Sequence, residues 1–213
     1  LVTEAYRGFD EDFAFAVKDM LVKNHIDATP RLGKANGAFS SDWYEGKSAF
    51  ILMSFNETLT DIYTLAHELG HATHTYYYTR SQTTLNYGGI SGWDSRFPMI
   101  TAETASTFGE LLLTSLLLSR SKSNKERKAI LCRVLDGACV IFRVTSATLF
   151  EQSLYDTIKR GEFLDYKTIC GLWVAARDKI DGDAIEYFGE AEAAWAPTPH
   201  YYMPNYRFYN YPY

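Results

Sequence analysis

The sequence predicts a mostly α fold with a small β-sheet beside one long helix. Two observations carry that expectation. Apolar residues recur at i, i+3 and i+4 through most of the 213-residue chain. Only two short runs, "AFSS" and "SAFILMSF", are β-prone and bounded by turn residues. No internal repeat or low-complexity tract interrupts this pattern.

The elements follow in order. Residues 3–22 set Tyr6, Phe9, Phe13, Val17, Met20 and Leu21 on one face of a predicted helix. "DATPRLGKANG" reads as a loop, and the two β-prone runs follow as strands, with "WYEGK" suited to a hairpin connection. Thr58 and Asp61 match a capping box, which starts a helix near Leu59 that runs to about Tyr78. Residues 80–98 hold three glycines without periodicity and read as a long loop. "MITAETASTFGELLLTSLLLSR" is a helix, apolar nearly all round in its second half and therefore central. A long helix is expected over residues 124–160, another from about Asp165 to Lys179, and a last one in "DAIEYFGEAEAAW" before Pro197.

With 46% hydrophobic residues the chain can bury the core of one domain, with room for an attached lobe. The net charge of −5, with Lys and Arg scattered, favours neither nucleic acid nor an anionic membrane surface. No apolar run approaches the ~20 residues of a membrane span, and no signal peptide opens the chain. Cys132 and Cys139, seven residues apart within a helical pattern, read as core-facing thiols; with Cys170 they suggest a reducing, cytoplasmic setting. The chain starts at "LVTEAY" without Met and ends on the aromatic "YRFYNYPY". Both ends suggest a fragment of a longer protein, one able to self-associate through surfaces left uncovered.

The chemistry concentrates in "TLAHELGHATH". On a helix His67 and His71 lie about 40° apart around the axis and ~6 Å along it, so both imidazoles can meet one Zn²⁺. Glu68 is turned by ~100°, away from ligation but within reach of a water near the ion. This is the H-E-x-x-H pattern. A motif with three fixed positions also arises by chance, and histidines can sit in cores bonded to carbonyls. The capped helix, the preceding β-prone stretch and Gly70 favour the zinc reading.

A catalytic zinc needs a third protein ligand. His74 lies ~10 Å along the axis from His67, too far to share the ion, so it is expected beside the site or in the core. The longer H-E-x-x-H-x-x-G-x-x-H pattern fails, with His74 and Tyr77 at its last two positions. Glu103 is the best candidate, with Glu110 seven residues on along the same face as an acceptor for a zinc histidine's second N–H. Two carboxylates on a core-directed face are costly unless paired or metal-bound. Composition alone also permits two exposed acids at a helix start.

"LAHELGHATH", "AETAST" and "HYY…YRFYNYPY" together resemble the oligoendopeptidase F and thimet oligopeptidase family of zinc metallopeptidases, the oligoendopeptidase F branch above all. "GFDEDFAFAVKDMLVKNHIDATPRLGKANGAF" and "ILMSFNETLTDIYTLAHELGHATH" extend that resemblance along the chain. It implies a helical, zincin-type metallopeptidase domain with a small sheet beside a deep channel, residues 1–213 forming part of one catalytic domain. It also implies one zinc ion held by His67, His71 and Glu103, with Glu68 as general base. The histidine and tyrosines that hold the substrate carbonyl and tetrahedral intermediate in such enzymes fall on His200, Tyr209 and, more weakly, Tyr206. Backbone at Gly37 and Ala38 would offer a strand edge to the substrate.

The implied activity is cleavage of internal bonds in short peptides, without nucleic acid or membrane. Full-length members of the family carry an N-terminal channel wall and further C-terminal helices that this chain lacks. Two alternatives stand beside the endopeptidase. A zinc carboxypeptidase would need a basic group for a terminal carboxylate, for which only Arg96 and Arg207 offer themselves. A catalytically silent fragment would bind zinc or peptide without turnover.

Overall fold

Asp10 divides the first predicted helix in two. Its carboxylate accepts hydrogen bonds from the N–H groups of Asp12 (2.8 Å) and Phe13 (3.2 Å), capping a new helix where the periodicity suggested continuity. Residues 3–22 therefore form α1 (Val2–Arg7) and α2 (Glu11–Val22), with Gly8 closing the first. The computed structural model describes residues 1–34, 37–42, 49–84 and 99–202.

Strands β1 (Ile26–Asp27), β2 (Phe39–Asp42) and β3 (Ala49–Leu52) make a sheet of order β1-β3-β2. β3 runs parallel to β1 and antiparallel to β2. The two longer strands coincide with the β-prone runs, whereas β1 is too short to show alternation in sequence. The expected "WYEGK" connection lies outside the described residues. Asp27 ties down the loop after β1: both Arg31 terminal nitrogens reach its carboxylate (2.7 and 2.6 Å), as does Lys34 Nζ (3.0 Å). The hydrogen bonds from Arg31, then from Lys34, hold this carboxyl well below the usual carboxylate range.

Helix α3 (Leu59–Thr84) opens on the capping box. The Asp61 N–H donates to Thr58 Oγ1 (3.1 Å), and the Thr58 N–H donates back to Asp61 Oδ2 (3.0 Å). The helix continues past Tyr78 into the stretch expected to be loop; residues 85–98 lie outside the description. α4 (Met99–Arg120), α5 (Asn124–Ala138), α6 (Val140–Lys159) and α7 (Tyr166–Asp181) follow. The helix expected over 124–160 is interrupted at Cys139, two residues after Gly137, where helix propensity is low. Residues 182–193 form 3₁₀ turns at Gly182–Ala184 and Gly189–Ala193 instead of an α-helix, because Gly182 (φ 60°) and Gly189 (φ 59°) turn the backbone left-handed. Cys132 and Cys139 are exposed and only Cys170 is buried, so two of the three thiols face solvent rather than core.

The chain divides into two compact units, Leu1–Leu131 and Cys132–Tyr213. In the first, Tyr6, Ile51, Met53, Tyr63, Leu69 and Leu113 belong to one core uniting α1–α4 with the sheet. In the second, Phe150, Trp173 and Ala176 centre a smaller core between α6 and α7. Among the described residues no helix is long and apolar enough to cross a membrane.

Two glycines set how closely α3 meets its neighbours. A Cβ at Gly70 would fall 2.7 Å from Ser106 Cα on α4, and one at Gly109 would fall 2.5 Å from the Ala66 carbonyl oxygen on α3. The Tyr6 hydroxyl, itself crowded against Gly109, donates to that same carbonyl (2.9 Å) and locks α1 to the crossing. Tyr63 and Thr114 share a second buried hydroxyl contact between α3 and α4 at 2.9 Å. We expect Gly70→Ala to push the helices apart and lower stability by about 1–3 kcal/mol, read as a reduced urea midpoint with unchanged slope. An unchanged midpoint would show that the crossing has room to spare.

Candidate metal centre

The close crossing brings α4 carboxylates to the histidines of α3. His67 and His71 stand one turn apart with ring centroids 4.9 Å from each other and planes at 84°. Glu103 Oε2 lies 3.4 Å from His67 Nε2 and 3.6 Å from His71 Nε2. All three ligand atoms fall within 4.8 Å of one another. Ligands about 2.0–2.1 Å from a tetrahedral zinc are separated from each other by roughly 3.3–3.5 Å, so the donor set fits an ion of that size.

The surrounding groups orient these three. His67 Nδ1 is 2.8 Å from Glu110 Oε1, a contact that turns Nε2 toward Glu103 and His71. Ser106, wholly buried, donates to the Glu103 carboxylate (2.8 Å), fixing it from the same helix face. Sequence reasoning missed Ser106, Gly109 and Tyr6. The i+3 spacing from Glu103 could have found Ser106; nothing local marks the other two.

Burial works against charge on His67, but hydrogen bonds and charges from Glu103 and then Glu110 raise it to about 10. His71 moves the other way, lowered by burial more than Glu103 restores, with His67 and His74 lowering it further. Glu103, although burial raises it, is held lower by His67, Ser106 and His71. The two carboxylates thus favour positive charge on His67, which a bound metal ion would replace on releasing that proton.

Glu68 is 6% exposed on the turn between the two histidines. Burial raises its carboxyl; His67 opposes this, Glu103 adds to it, and the Ser40 backbone hydrogen bond lowers it. That amide is accounted for by the sheet. Ile51 on β3 sends its N–H to His25 on the β1 side (2.9 Å), so Ser40, paired with Ile51, turns its backbone groups outward. Alternation gives Ala38 the same outward direction, while Gly37 (φ 85°) turns the chain into the strand. Among the described residues β2 is an edge strand beside Glu68.

The remaining candidates are spread more widely. His74 lines a cavity of about 370 Å³ with Tyr6, Phe13, Gly70, Tyr77 and Phe108. The His200 backbone lies in a 3₁₀ turn, Pro199–Tyr202. The His200 side chain, Tyr206, Tyr209, Arg96 and Arg207 lie outside the description.

Fold and site together define a helical protein whose two histidines and one glutamate are arranged to hold a metal ion. The chain belongs to peptidase family M3, matching it over residues 5–213. Members of that family are metallopeptidases. It is 34% identical over 206 residues to the plasmid oligoendopeptidase F of Lactococcus lactis subsp. cremoris, covering 96% of this chain and 32% of that protein. To the oligopeptidase PepF of Bacillus subtilis strain 168 it is 33% identical, covering 94% and 29%. A crystal structure from Chlamydophila abortus, assigned as a peptidase, superposes with a TM-score of 0.70 at 26% identity, covering 99% of this chain and 34% of that one. The chain therefore spans about a third of the length of the curated relatives it matches.

Removing Glu110 should leave His67 free to rotate. Glu110→Ala is expected to weaken zinc binding about 10–100-fold while keeping one ion per chain, measured by competition with a fluorescent chelator. Unchanged affinity would mean that the 2.8 Å contact does not orient the ring.

Proposed function

We propose that this chain forms the catalytic part of a zinc-dependent endopeptidase that hydrolyses internal bonds of short oligopeptides. One observation carries the reading: a buried carboxylate, Glu68, sits between two histidines whose Nε2 atoms both lie within 3.6 Å of Glu103. Membership of family M3 and likeness to oligopeptidases support the peptide substrate. The solvent-facing thiols of Cys132 and Cys139 support a reducing, cytoplasmic setting.

His67, His71 and Glu103 would hold the ion, with Glu110 and Ser106 orienting His67 and Glu103. When bound, zinc supplies Lewis-acid polarisation of the scissile carbonyl and lowers the pKa of a water at its open position. Glu68 takes the proton of the attacking water and delivers it to the leaving amine. Its burial suits both roles, because a carboxyl raised by desolvation gains a proton readily and returns it to an amine. The backbone at Gly37 and the outward groups of Ala38 align an extended substrate by hydrogen bonds, which are indifferent to side chains. Gly37 gives that edge its turn. His200 and Tyr209, with Tyr206, donate hydrogen bonds to the tetrahedral oxyanion; such donors contribute about 3–4 kcal/mol each where water is excluded.

Glu68→Gln separates the proton-transfer role from metal binding. The variant should keep one zinc per chain and lose turnover of an internally quenched, end-blocked oligopeptide by at least about a hundredfold. Loss of zinc together with turnover would make Glu68 part of the metal site instead.

A further inference from the structure

The second unit contains a cluster that the proposed reaction leaves unused. Phe150 on α6 is fully buried, and two rings from the later chain meet it: Trp195 at 6.2 Å and Tyr201 edge-on at 5.0 Å and 87°. Trp173 on α7 closes another side at 5.4 Å. Tyr201 packs in addition against the Val144–Ala147 cluster one turn earlier on α6. The stretch from Trp195 to Tyr201 is therefore pinned at both ends to one phenyl ring.

That stretch is also tied internally. Pro197 and Pro199 fix two of its φ angles. The Thr198 N–H donates to the Trp195 carbonyl (3.1 Å), and the Tyr202 hydroxyl donates to the Ala196 carbonyl (2.9 Å). Next to Phe150, Glu151 is only 3% exposed, and Arg177 is held by Asp181 (2.8 Å) and donates to Ser146 (2.9 Å). Burial and the Glu151 charge raise the Tyr201 phenol, opposed by Arg177, so it enters the socket neutral. His200 occupies the position immediately before Tyr201 in this turn.

We propose that Tyr201 is a positioning residue for His200: its ring, seated edge-on against Phe150, sets where the His200 backbone is held during turnover. This rests on the oxyanion role proposed for His200. An aromatic edge-to-face contact adds to the ring's buried area and favours one conformation of a short, proline-stiffened turn.

The test compares Tyr201→Leu, Tyr201→Phe, His200→Ala and the double variant Tyr201→Leu/His200→Ala in the zinc-loaded protein, with kcat, KM and zinc content read for each. Tyr201→Leu should lower kcat about tenfold or more with KM and zinc unchanged, as misplacement of a catalytic group does. Tyr201→Phe, which keeps the ring in its socket, should restore most of that loss. The double variant should be no slower than His200→Ala alone, because the two changes then remove one interaction. Should Tyr201→Leu fail to fold, Trp195→Leu removes the ring at the other end of the stretch and should give the same kcat-only loss. Full kcat in Tyr201→Leu, additive losses in the double variant, or equal losses for Phe and Leu would overturn the proposal. If His200→Ala itself leaves kcat intact, the oxyanion role fails first, and that outcome is distinct from a failed anchor.

Discussion

The close crossing of α3 and α4 is the constraint on which the rest of the first unit depends. Two imidazoles on one helix leave a metal site short of a ligand, and here the third donor, Glu103, reaches them from a second helix. Ordinary helix pairs pack 8–10 Å apart, a spacing set by the side chains between them. At Gly70 and Gly109 those side chains are absent, and the backbones come within a distance that a single methyl group would forbid. The Tyr6 hydroxyl then takes the Ala66 carbonyl, one residue before His67, and holds a third helix to the same spot. Backbone proximity, rather than side-chain reach, brings Glu103 to both rings.

Such a cluster of charge on half-buried side chains is expensive, and neighbouring groups offset the cost. Glu110 answers His67 at Nδ1, and Ser106 answers Glu103. Glu68 lies deep beside the histidines and accepts its hydrogen bond from the Ser40 backbone instead. Two kinds of carboxylate thus stand within one helix crossing. Glu103 and Glu110 are committed to imidazoles, whereas Glu68 is raised by burial, as the proposed proton transfer requires. Divided carboxylate environments of this kind are how one site holds a cation and performs acid–base chemistry.

How much of this was legible in sequence depended on whether the signal was local. The Thr58–Asp61 box, the i/i+4 histidines and the two β-prone runs each occupy a few consecutive positions, and each lies where the pattern put it. Glu103 was reachable because it shares a face with Glu110, seven residues on, in a helix that becomes strongly apolar. The breaks were harder to see. Asp10 could be read as a polar residue on a helix face, and only its captured amides make it a cap. Gly137 and Cys139 interrupt a run whose periodicity continues on either side. In residues 182–193 helix-favouring Glu and Ala lose to two left-handed glycines. Gly109 and Tyr6 carry no local sign at all, because their role exists only when α1, α3 and α4 are already together.

The most direct test of the central claim is anomalous diffraction at the zinc edge from crystals of the zinc-loaded protein. The account predicts one peak, with His67 Nε2, His71 Nε2 and a Glu103 oxygen each about 2.0–2.2 Å from it. A peak elsewhere, or a peak bound by the two histidines with the Glu103 side chain turned away, would contradict it.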